Sequence, residues 1–404
     1  MTVLAPEPGR SNTIGVWLFA LVFALTLIGY PVAGVASSAL GLSSLESSIP
    51  LRAFVVLLAF VLILHVIGAR QTARLAPLIL LFWWIYLIRL FWDLGTGEFD
   101  RADQALLFFI GTVVIPVLAI MIGAIHYDER VTARVTFAIG AFVCAASLAM
   151  NYLGIGEAAD LTETTGRLST ESLNPITLGH VAVTTIIAAL VLWKQPGLPG
   201  GRLALLGGGA VALGCLVLAA SRGPILALMV VVISYAALRG RWGRIFAGGL
   251  AVLIVAPMIL ATQGVAIVER FTNITSDLSA IERLIIQGNA LDQGLANPVI
   301  GSAYVELSSG QYPHNLILES LMALGFVGLL IFLFVCAQGG YRAFWRLRTG
   351  EVLVPLLLVQ YFVAAMFSGS LWGAGPLWAV LMMLAVRAGS HGTPPFFKSS
   401  PASP

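Results

Sequence analysis

The sequence predicts an all-α polytopic membrane protein with about twelve transmembrane helices. Of its 404 residues, 59% are hydrophobic and only 10% are charged, whereas soluble domains carry about 25% charged residues. The hydrophobic residues form continuous runs of about 20 residues, the length that an α-helix needs to cross a bilayer. They do not show the alternating pattern of barrel strands. A soluble globular protein is therefore excluded.

Twelve apolar runs are expected to span the membrane, and we take residues 1–389 as one transmembrane domain. The runs are residues 14–34, 50–68, 76–92, 104–124, 135–153, 174–193, 203–220, 223–238, 244–261, 314–336, 352–369 and 372–387. The first run could imitate a cleavable signal, but we expect it to be retained as a span. Residues 390–404, rich in Pro and Ser, are expected to form a disordered cytoplasmic tail.

The placement of Lys and Arg predicts the orientation of the chain. If both termini are cytoplasmic, most of the 22 basic residues fall in short cytoplasmic connections. Two long polar loops, residues 154–173 and 262–313, then lie on the outer face. No glycine-rich phosphate loop occurs on the cytoplasmic side. We therefore expect any chemistry to face outward.

The large outer loop, residues 262–313, is predicted to contain a short amphipathic helix. Ser279 and Glu282 have the spacing of a capping box, and Asn297-Pro298 would end the helix. A weak apolar stripe follows the capping box: Ile281, Leu284, Ile285 and Leu291. We expect this helix to lie on the membrane surface or to cap the bundle.

Three helices that run from the outer to the inner face begin with a polar residue and a proline. These starts are Asn174-Pro175, Ser221-Arg222-Gly223-Pro224 and Pro313-His314-Asn315. Proline is common in a first helical turn, so each could be an ordinary helix start. However, helix N-termini present free N–H groups and the positive end of the dipole, which suit phosphate oxygens. Their joint placement indicates an anion site at the outer face.

Two arginines at this face are candidate phosphate ligands. Arg222 could clamp a diphosphate, because its guanidinium group offers a bidentate fork that stays charged. The alternative is an arginine that snorkels or caps the helix. Arg89 lies in the outer turn of the third span, where an ionisable residue is costly. The alternative for Arg89 is an ion pair with Asp93, four residues later.

His314 is the candidate general base. The dipole at the start of a helix disfavours the imidazolium form, which would keep the ring neutral near pH 7. The alternative is a histidine that only makes structural hydrogen bonds. Asn315 and Glu319, four residues apart, are predicted to share a helix face, with Glu319 orienting polar partners at the outer mouth. His65 and His180, deeper in apolar runs, are interpreted as packed histidines.

No sequence pattern requires a metal or a cofactor. Neither an HExxH motif nor a Cys/His cluster with ligand spacing occurs. The three cysteines, Cys144, Cys215 and Cys336, all lie in apolar runs and are interpreted as buried thiols. We expect membrane lipids and lipid-linked substrates as partners, and no nucleic acid.

Together these motifs resemble those of the bacterial O-antigen ligase and O-antigen polymerase superfamily. The resemblance covers about Leu203 to Leu333. It rests on the Ser221-Arg222-Gly223 turn, Arg283 followed by Pro298 and Gly301, and the segment His314–Glu319 followed by Gly325 and Gly328. It implies an inner-membrane glycosyltransferase that takes a glycan from undecaprenyl pyrophosphate at the periplasmic face. The acceptor would be lipid A-core for a ligase or a second lipid-linked repeat for a polymerase.

The resemblance also implies roles for individual residues. Arg222 and Arg283 would bind the pyrophosphate, and His314 would be the loop histidine of the family. The tryptophan that often follows the loop arginine is absent here, so Arg270 is an alternative to Arg283. Our hypothesis is that His314 deprotonates the acceptor while Arg222, Arg283 and Arg89 stabilise the departing pyrophosphate.

The competing function is a transporter or flippase of lipid-linked saccharides. A transporter would be expected to place polar or broken-helix sites near the middle of the bilayer, often in paired repeats. In this sequence the unusual polar residues gather at one surface, which favours the enzyme.

Overall fold

The computed structural model describes residues 13–42, 44–68, 76–155, 168, 173–193, 201–240 and 278–386. Several predictions lie outside these ranges. They concern the span 244–261, the first part of the outer loop with Arg270, the side chain of Ser279, most of the loop 154–173 and the tail 390–404.

The described part of the chain is helical and contains no strand. The helices are α1 (Thr13–Leu40), α2 (Ser44–Gly68), α3 (Pro77–Thr96), α4 (Ala102–Phe108), α5 (Ile115–Gly123), α6 (Glu129–Leu153), α7 (Pro175–Trp193), α8 (Gly201–Leu218), α9 (Arg222–Arg239), α10 (Leu278–Ala296), α11 (Leu316–Thr349), α12 (Leu353–Phe367) and α13 (Gly375–Val386). A π-helical segment, Phe109–Val114, joins α4 to α5, and a 3₁₀ turn, Ala124–His126, follows α5.

Nine helical segments within the described ranges are long and apolar enough to cross a membrane. They are α1, α2, α3, the continuous segment Ala102–His126, α6, α7, α8, α9 and α11, while α12 and α13 are shorter apolar helices. Each predicted span in the described ranges coincides with one of these segments. The chain is therefore an all-α, multi-pass membrane protein, as predicted.

Aromatic side chains pack at the centre of the bundle. Phe82 and Tyr86 of α3 contact Phe109, Phe332 and Trp378, with ring centroids 5.1–5.9 Å apart in contacting pairs. All five side chains are fully buried. Lipid tails are as apolar as these residues, so close packing holds the helices together. The cluster packs α3 against α11 and α13. The helix α11 begins directly after the outer loop.

The amphipathic helix of the outer loop is α10. Ile286 and Ala290 are buried on its inner face, and Gly294 packs closely against Leu321 of α11. The predicted apolar stripe is instead exposed: Ile281, Leu284, Ile285 and Leu291. This arrangement is typical of a helix that caps a bundle while its apolar side chains meet a membrane surface.

Candidate active site where the outer loop meets α11 and α12

The outer loop ends at His314, and Asn315 caps α11. The Asn315 side-chain oxygen accepts hydrogen bonds from the backbone N–H groups of Ile317 (3.0 Å) and Leu318 (3.2 Å). Such a cap satisfies N–H groups that have no partner within the helix. The Asn315 amide nitrogen also donates to the carbonyl of Met366, at 3.4 Å. Asn315 therefore ties the start of α11 to the end of α12.

His314 has a left-handed backbone, with φ at 56°. This conformation is uncommon outside glycine and is often found at functional sites. The imidazole ring packs edge-on against Tyr312, with ring centroids 4.5 Å apart. Its Nδ1 atom is buried and has no hydrogen-bond partner among the described residues. His314 is thus held in place by its backbone and by Tyr312, with a ring nitrogen still able to accept a proton.

Burial first and the positive charge of Arg283 second lower the pKa of His314 to about 4, while the nearby Glu282 raises it by a smaller amount. The ring is therefore neutral at pH 7, the state that a general base requires. A neutral ring was predicted from the helix dipole. The structure attributes it to desolvation first and to Arg283 second, because these two effects disfavour the charged form.

Arg283 projects from α10 toward the end of α12. Its Nη1 atom donates to the carbonyl of Phe367 at 3.3 Å. No other hydrogen bond or ion pair is formed by this guanidinium within the described ranges. A guanidinium group has five N–H donors, so most of them remain available beside His314.

Arg222 is the first residue of α9, and its cap residue Ser221 makes no side-chain cap bond. The next residue, Gly223, comes within 4.0 Å of the Phe367 side chain when a Cβ atom is placed on it. The start of α9 therefore lies beside the same residue, Phe367, whose carbonyl binds Arg283. We call the residues around Met366 and Phe367 the α12 corner.

The third predicted helix start also reaches this region. The Asn174 side chain caps α7 by accepting from the Thr177 N–H group at 2.8 Å. Gly179, one turn into α7, lies against Pro224, since a Cβ atom on it would come 2.6 Å from the proline ring. The starts of α7, α9 and α11 are thus brought together, as their shared sequence pattern suggests.

Arg89 binds the backbone of the outer loop and of α11. Its guanidinium donates to the carbonyls of Ala323 (2.9 Å), Ser302 (2.9 Å), Ile300 (2.8 Å) and Gly301 (3.3 Å). It also pairs with Asp93 at 3.5 Å, so the ion pair weighed as the alternative is present. These contacts use the N–H donors of the Arg89 guanidinium. In this structure Arg89 therefore anchors the outer loop.

The segment that Arg89 binds, residues 298–302, is fastened to a break in α11. Gly325 has φ 65° and ψ −163° inside that helix. The break frees the Phe326 N–H group for the Pro298 carbonyl (2.6 Å) and the Met322 carbonyl for the Ser302 N–H group (2.9 Å). We call residues 298–302 with this break the loop clamp. It fixes the outer loop to α11 about three turns after His314.

Glu319 is fully buried. Its two carboxylate oxygens accept from the Leu371 N–H group at 3.0 and 2.9 Å, and one also accepts from the Tyr86 hydroxyl at 3.4 Å. The predicted shared helix face with Asn315 is not formed, because Asn315 is the extended cap residue before α11. Glu319 instead fixes the turn between α12 and α13.

The structure adds residues that the sequence did not single out. Tyr312 contacts His314, and Trp372 contacts Tyr312 with ring centroids 5.9 Å apart. Arg52 lines a neighbouring cavity with both aromatic residues. Its position in the outer turn of an apolar span, like that of Arg89, was the available sequence signal. Across the described ranges, no three His, Cys, Asp or Glu side chains are grouped so that they could hold a metal ion.

Comparison with known families identifies the central part of the chain. Residues 207–333 match the family model described as O-antigen ligase. This region includes α9, α10 and the first half of α11, and so contains Arg222, Arg283 and His314. No curated protein matches the chain significantly. Over these residues the chain is similar to the O-antigen ligase family.

Proposed function

We propose that the protein transfers a glycan from undecaprenyl pyrophosphate to an acceptor at the periplasmic face of the bacterial inner membrane. We place the outer loop in the periplasm and both termini of the chain in the cytoplasm. One observation carries the proposal: a neutral His314 lies beside the charged Arg283 at the α12 corner, where the helix of Arg222 begins. A base and two cations are the groups that this transfer needs.

In the proposed step, the imidazole ring of His314 takes the proton of an acceptor hydroxyl as its oxygen attacks the anomeric carbon of the donor. A new glycosidic bond forms, and the bond between that carbon and the pyrophosphate oxygen breaks. The bonding electrons and the negative charge leave with undecaprenyl pyrophosphate. Arg222 and Arg283 stabilise that charge, together with the free N–H groups at the start of α9.

The remaining candidates act through position. Asn315 holds His314 against α12, and Glu319 fixes the turn after α12 through Leu371. Arg89 holds the loop that precedes His314. Arg270, outside the described residues, is kept as the alternative to Arg283.

Replacement of His314 by Gln tests the proposal. Loss of general-base catalysis is expected to lower transfer by about 10²–10⁴-fold. The matched control is His65→Gln, because His65 contacts His126 and lies outside the α12 corner. Cells should lose the surface polysaccharide only with the first variant, while lipid-linked intermediates accumulate on the outer leaflet.

Two results would contradict the proposal. Normal polysaccharide with normal amounts of the His314→Gln protein would remove His314 from the chemistry. Accumulation of the intermediate on the cytoplasmic leaflet would instead favour the flippase.

Ligase and polymerase are separated by a deletion strain: a polymerase deletion still places single repeats on lipid A-core, whereas a ligase deletion places none.

A further inference from the structure

A cavity of about 520 Å³ lies next to the candidate base. We call it the Arg52 cavity, after its one lining arginine. Its polar and aromatic lining includes Arg52, Phe108, Thr177, His180, Tyr312 and Trp372. Tyr312 is shared with the candidate site, since its other ring contact is His314. The cavity is therefore separated from His314 by a single side chain.

Arg52 is a charged residue whose hydrogen-bonding capacity is not used by the described residues. Its guanidinium stacks on Phe108, 3.8 Å from the ring centroid, and lies 5.9 Å from the centroid of Tyr30. Its Nη1 atom is buried without a hydrogen-bond partner, and no carboxylate in the described ranges forms an ion pair with it. Arg52 is half-buried, and a charge held partly out of water without a polar partner costs free energy that an anionic ligand would offset.

The stacking on Phe108 leaves the charge available to a ligand. A cation over an aromatic ring interacts through the face of the guanidinium. The N–H donors lie in the plane of the group and point outward from its edge. That edge matches two oxygens of a phosphate group. The aromatic contact therefore fixes Arg52 in place without using the donors that would recognise an anion.

His180 adds a second polar group to the same cavity. Its two ring nitrogens are buried and have no hydrogen-bond partner among the described residues. Its backbone is held by Gln360, whose side-chain amide donates to the His180 carbonyl at 2.8 Å. The same amide donates to the Thr184 hydroxyl at 2.8 Å. A histidine and an arginine without polar partners thus line one space.

The rest of the lining is mostly apolar and suits a hydrocarbon chain. It includes Leu25, Leu27, Leu51, Val55 and Ile176. A cavity with a cation beside an apolar wall fits an amphiphile that has an anionic headgroup. A soluble sugar phosphate would leave this wall in contact with water.

We propose that the Arg52 cavity binds the acceptor lipid through a phosphate on its headgroup. This inference rests on the proposed function, in which Arg222 and Arg283 hold the donor pyrophosphate. The acceptor hydroxyl then reaches His314 past Tyr312. The donor and acceptor lipids, which are both anionic, bind to different arginines. Lipid A and a polyprenyl-linked repeat both carry the required phosphate.

Binding to the purified full-length protein tests this assignment without any turnover. The protein is placed in phosphatidylcholine nanodiscs that contain polyprenyl phosphate, lipid A or phosphatidylglycerol, and bound lipid is measured by native mass spectrometry. Arg52→Gln is compared with Arg101→Gln, which removes an exposed arginine outside the cavity. Thermal stability is measured for both, and Arg52→Lys, which keeps the charge, is the second variant if Arg52→Gln does not fold.

We expect Arg52→Gln to weaken binding of polyprenyl phosphate or lipid A by about tenfold or more, with Arg101→Gln unchanged. The affected probe identifies the acceptor. Arg52→Lys should retain the charge but lose the bidentate fork, giving an intermediate value. Equal binding by wild type and the Arg52 variants, or the same loss for phosphatidylglycerol, would overturn the inference.

Two-substrate kinetics distinguish this inference from the proposed function. Arg52→Gln should raise KM for the acceptor and leave KM for the donor unchanged, whereas Arg222→Gln should do the reverse. A rise in donor KM with Arg52→Gln would overturn the inference while transfer itself stands. If purified protein shows no transfer but loses lipid binding with Arg52→Gln, the proposed function fails and the binding site stands.

Discussion

The loop clamp and the α12 corner use the same side chain, arginine, in opposite ways. At the clamp, Arg89 donates to four backbone carbonyls and pairs with Asp93, which is only 1% exposed. At the corner, Arg283 makes one hydrogen bond to a described residue, through the Phe367 carbonyl. A guanidinium with all its donors used holds the chain in shape. One with most donors free keeps its charge for a ligand. This contrast supports a structural role for the loop clamp and the proposed chemistry for the α12 corner.

The largest expected effect is that of Gly301→Ala, with Gly310→Ala as its control. Both glycines lie in the outer loop and share the same backbone conformation. Gly301 and Gly310 have φ of 70° and 66°. A Cβ atom on Gly301 would overlap the Ala323 backbone, whereas one on Gly310 meets nothing within 4 Å. Gly301→Ala should abolish stable folding. Gly310→Ala should cost only about 1 kcal/mol for the left-handed backbone. Thermal melting of the purified proteins measures both, and equal melting temperatures would show that the clamp does not hold the loop.

The next largest effect on stability is expected from Arg89→Met, which removes the arginine that binds the loop clamp. Arg89→Met keeps much of the packing volume but leaves Asp93 buried, with only the Tyr304 N–H group as a partner at 2.8 Å. Breaking a buried pair in this way costs about 3–5 kcal/mol. The expected readout is low abundance and a lowered melting temperature. Arg101→Met, at an exposed site, is the control. A stable but inactive Arg89→Met protein would instead make Arg89 a substrate ligand.

Arg283→Gln should show the opposite pattern. The loss of one half-exposed hydrogen bond costs about 1 kcal/mol or less, so folding should be nearly normal. Transfer should fall by about 10²-fold, the usual effect of removing one group that stabilises transition-state charge. Initial rates and melting curves on the same preparation separate the two effects. Normal transfer by this variant would leave Arg270 as the pyrophosphate ligand of the loop.

Asn315 allows a smaller and finer test, because its two side-chain functions can be separated. Asn315→Ala removes the helix cap, which costs about 1 kcal/mol. Asn315→Asp keeps the oxygen that accepts from Ile317 and Leu318 but loses the donor to Met366. Its new negative charge also lies where the pyrophosphate would bind. The Asp variant should therefore melt like the wild type and transfer more slowly. A melting temperature as low as that of Asn315→Ala would show that the link to α12, not the cap, stabilises this region.

The spans could be predicted because the bilayer imposes a length and an apolar composition on each helix. The helix starts at Pro175, Arg222 and Leu316 followed from proline, arginine and capping patterns that act within a few residues. For the same reason Asn315 and His314 could be chosen as site residues. Local chemistry was sufficient for these features.

Long-range contacts account for what the sequence could not show. The carbonyl partners of Arg89 could not be predicted, because they lie more than 200 residues away in the chain. Glu319 accepts from the distant Leu371 N–H group, and the neutral state of His314 depends on burial and on Arg283. The Arg52 cavity is formed by segments that are distant in sequence. No local pattern records these arrangements.

The pH dependence of transfer tests the central claim, that His314 is the base and that Arg283 lies beside it. A base works in its unprotonated form, so the acid limb of kcat/KM reports its pKa in the free enzyme. Since burial and Arg283 lower the pKa of His314 to about 4, wild-type kcat/KM should fall only near that pH. Arg283→Gln removes the positive charge, so its acid limb should move to higher pH. An acid limb at the ordinary histidine value of about 6.5 in both proteins would contradict the account.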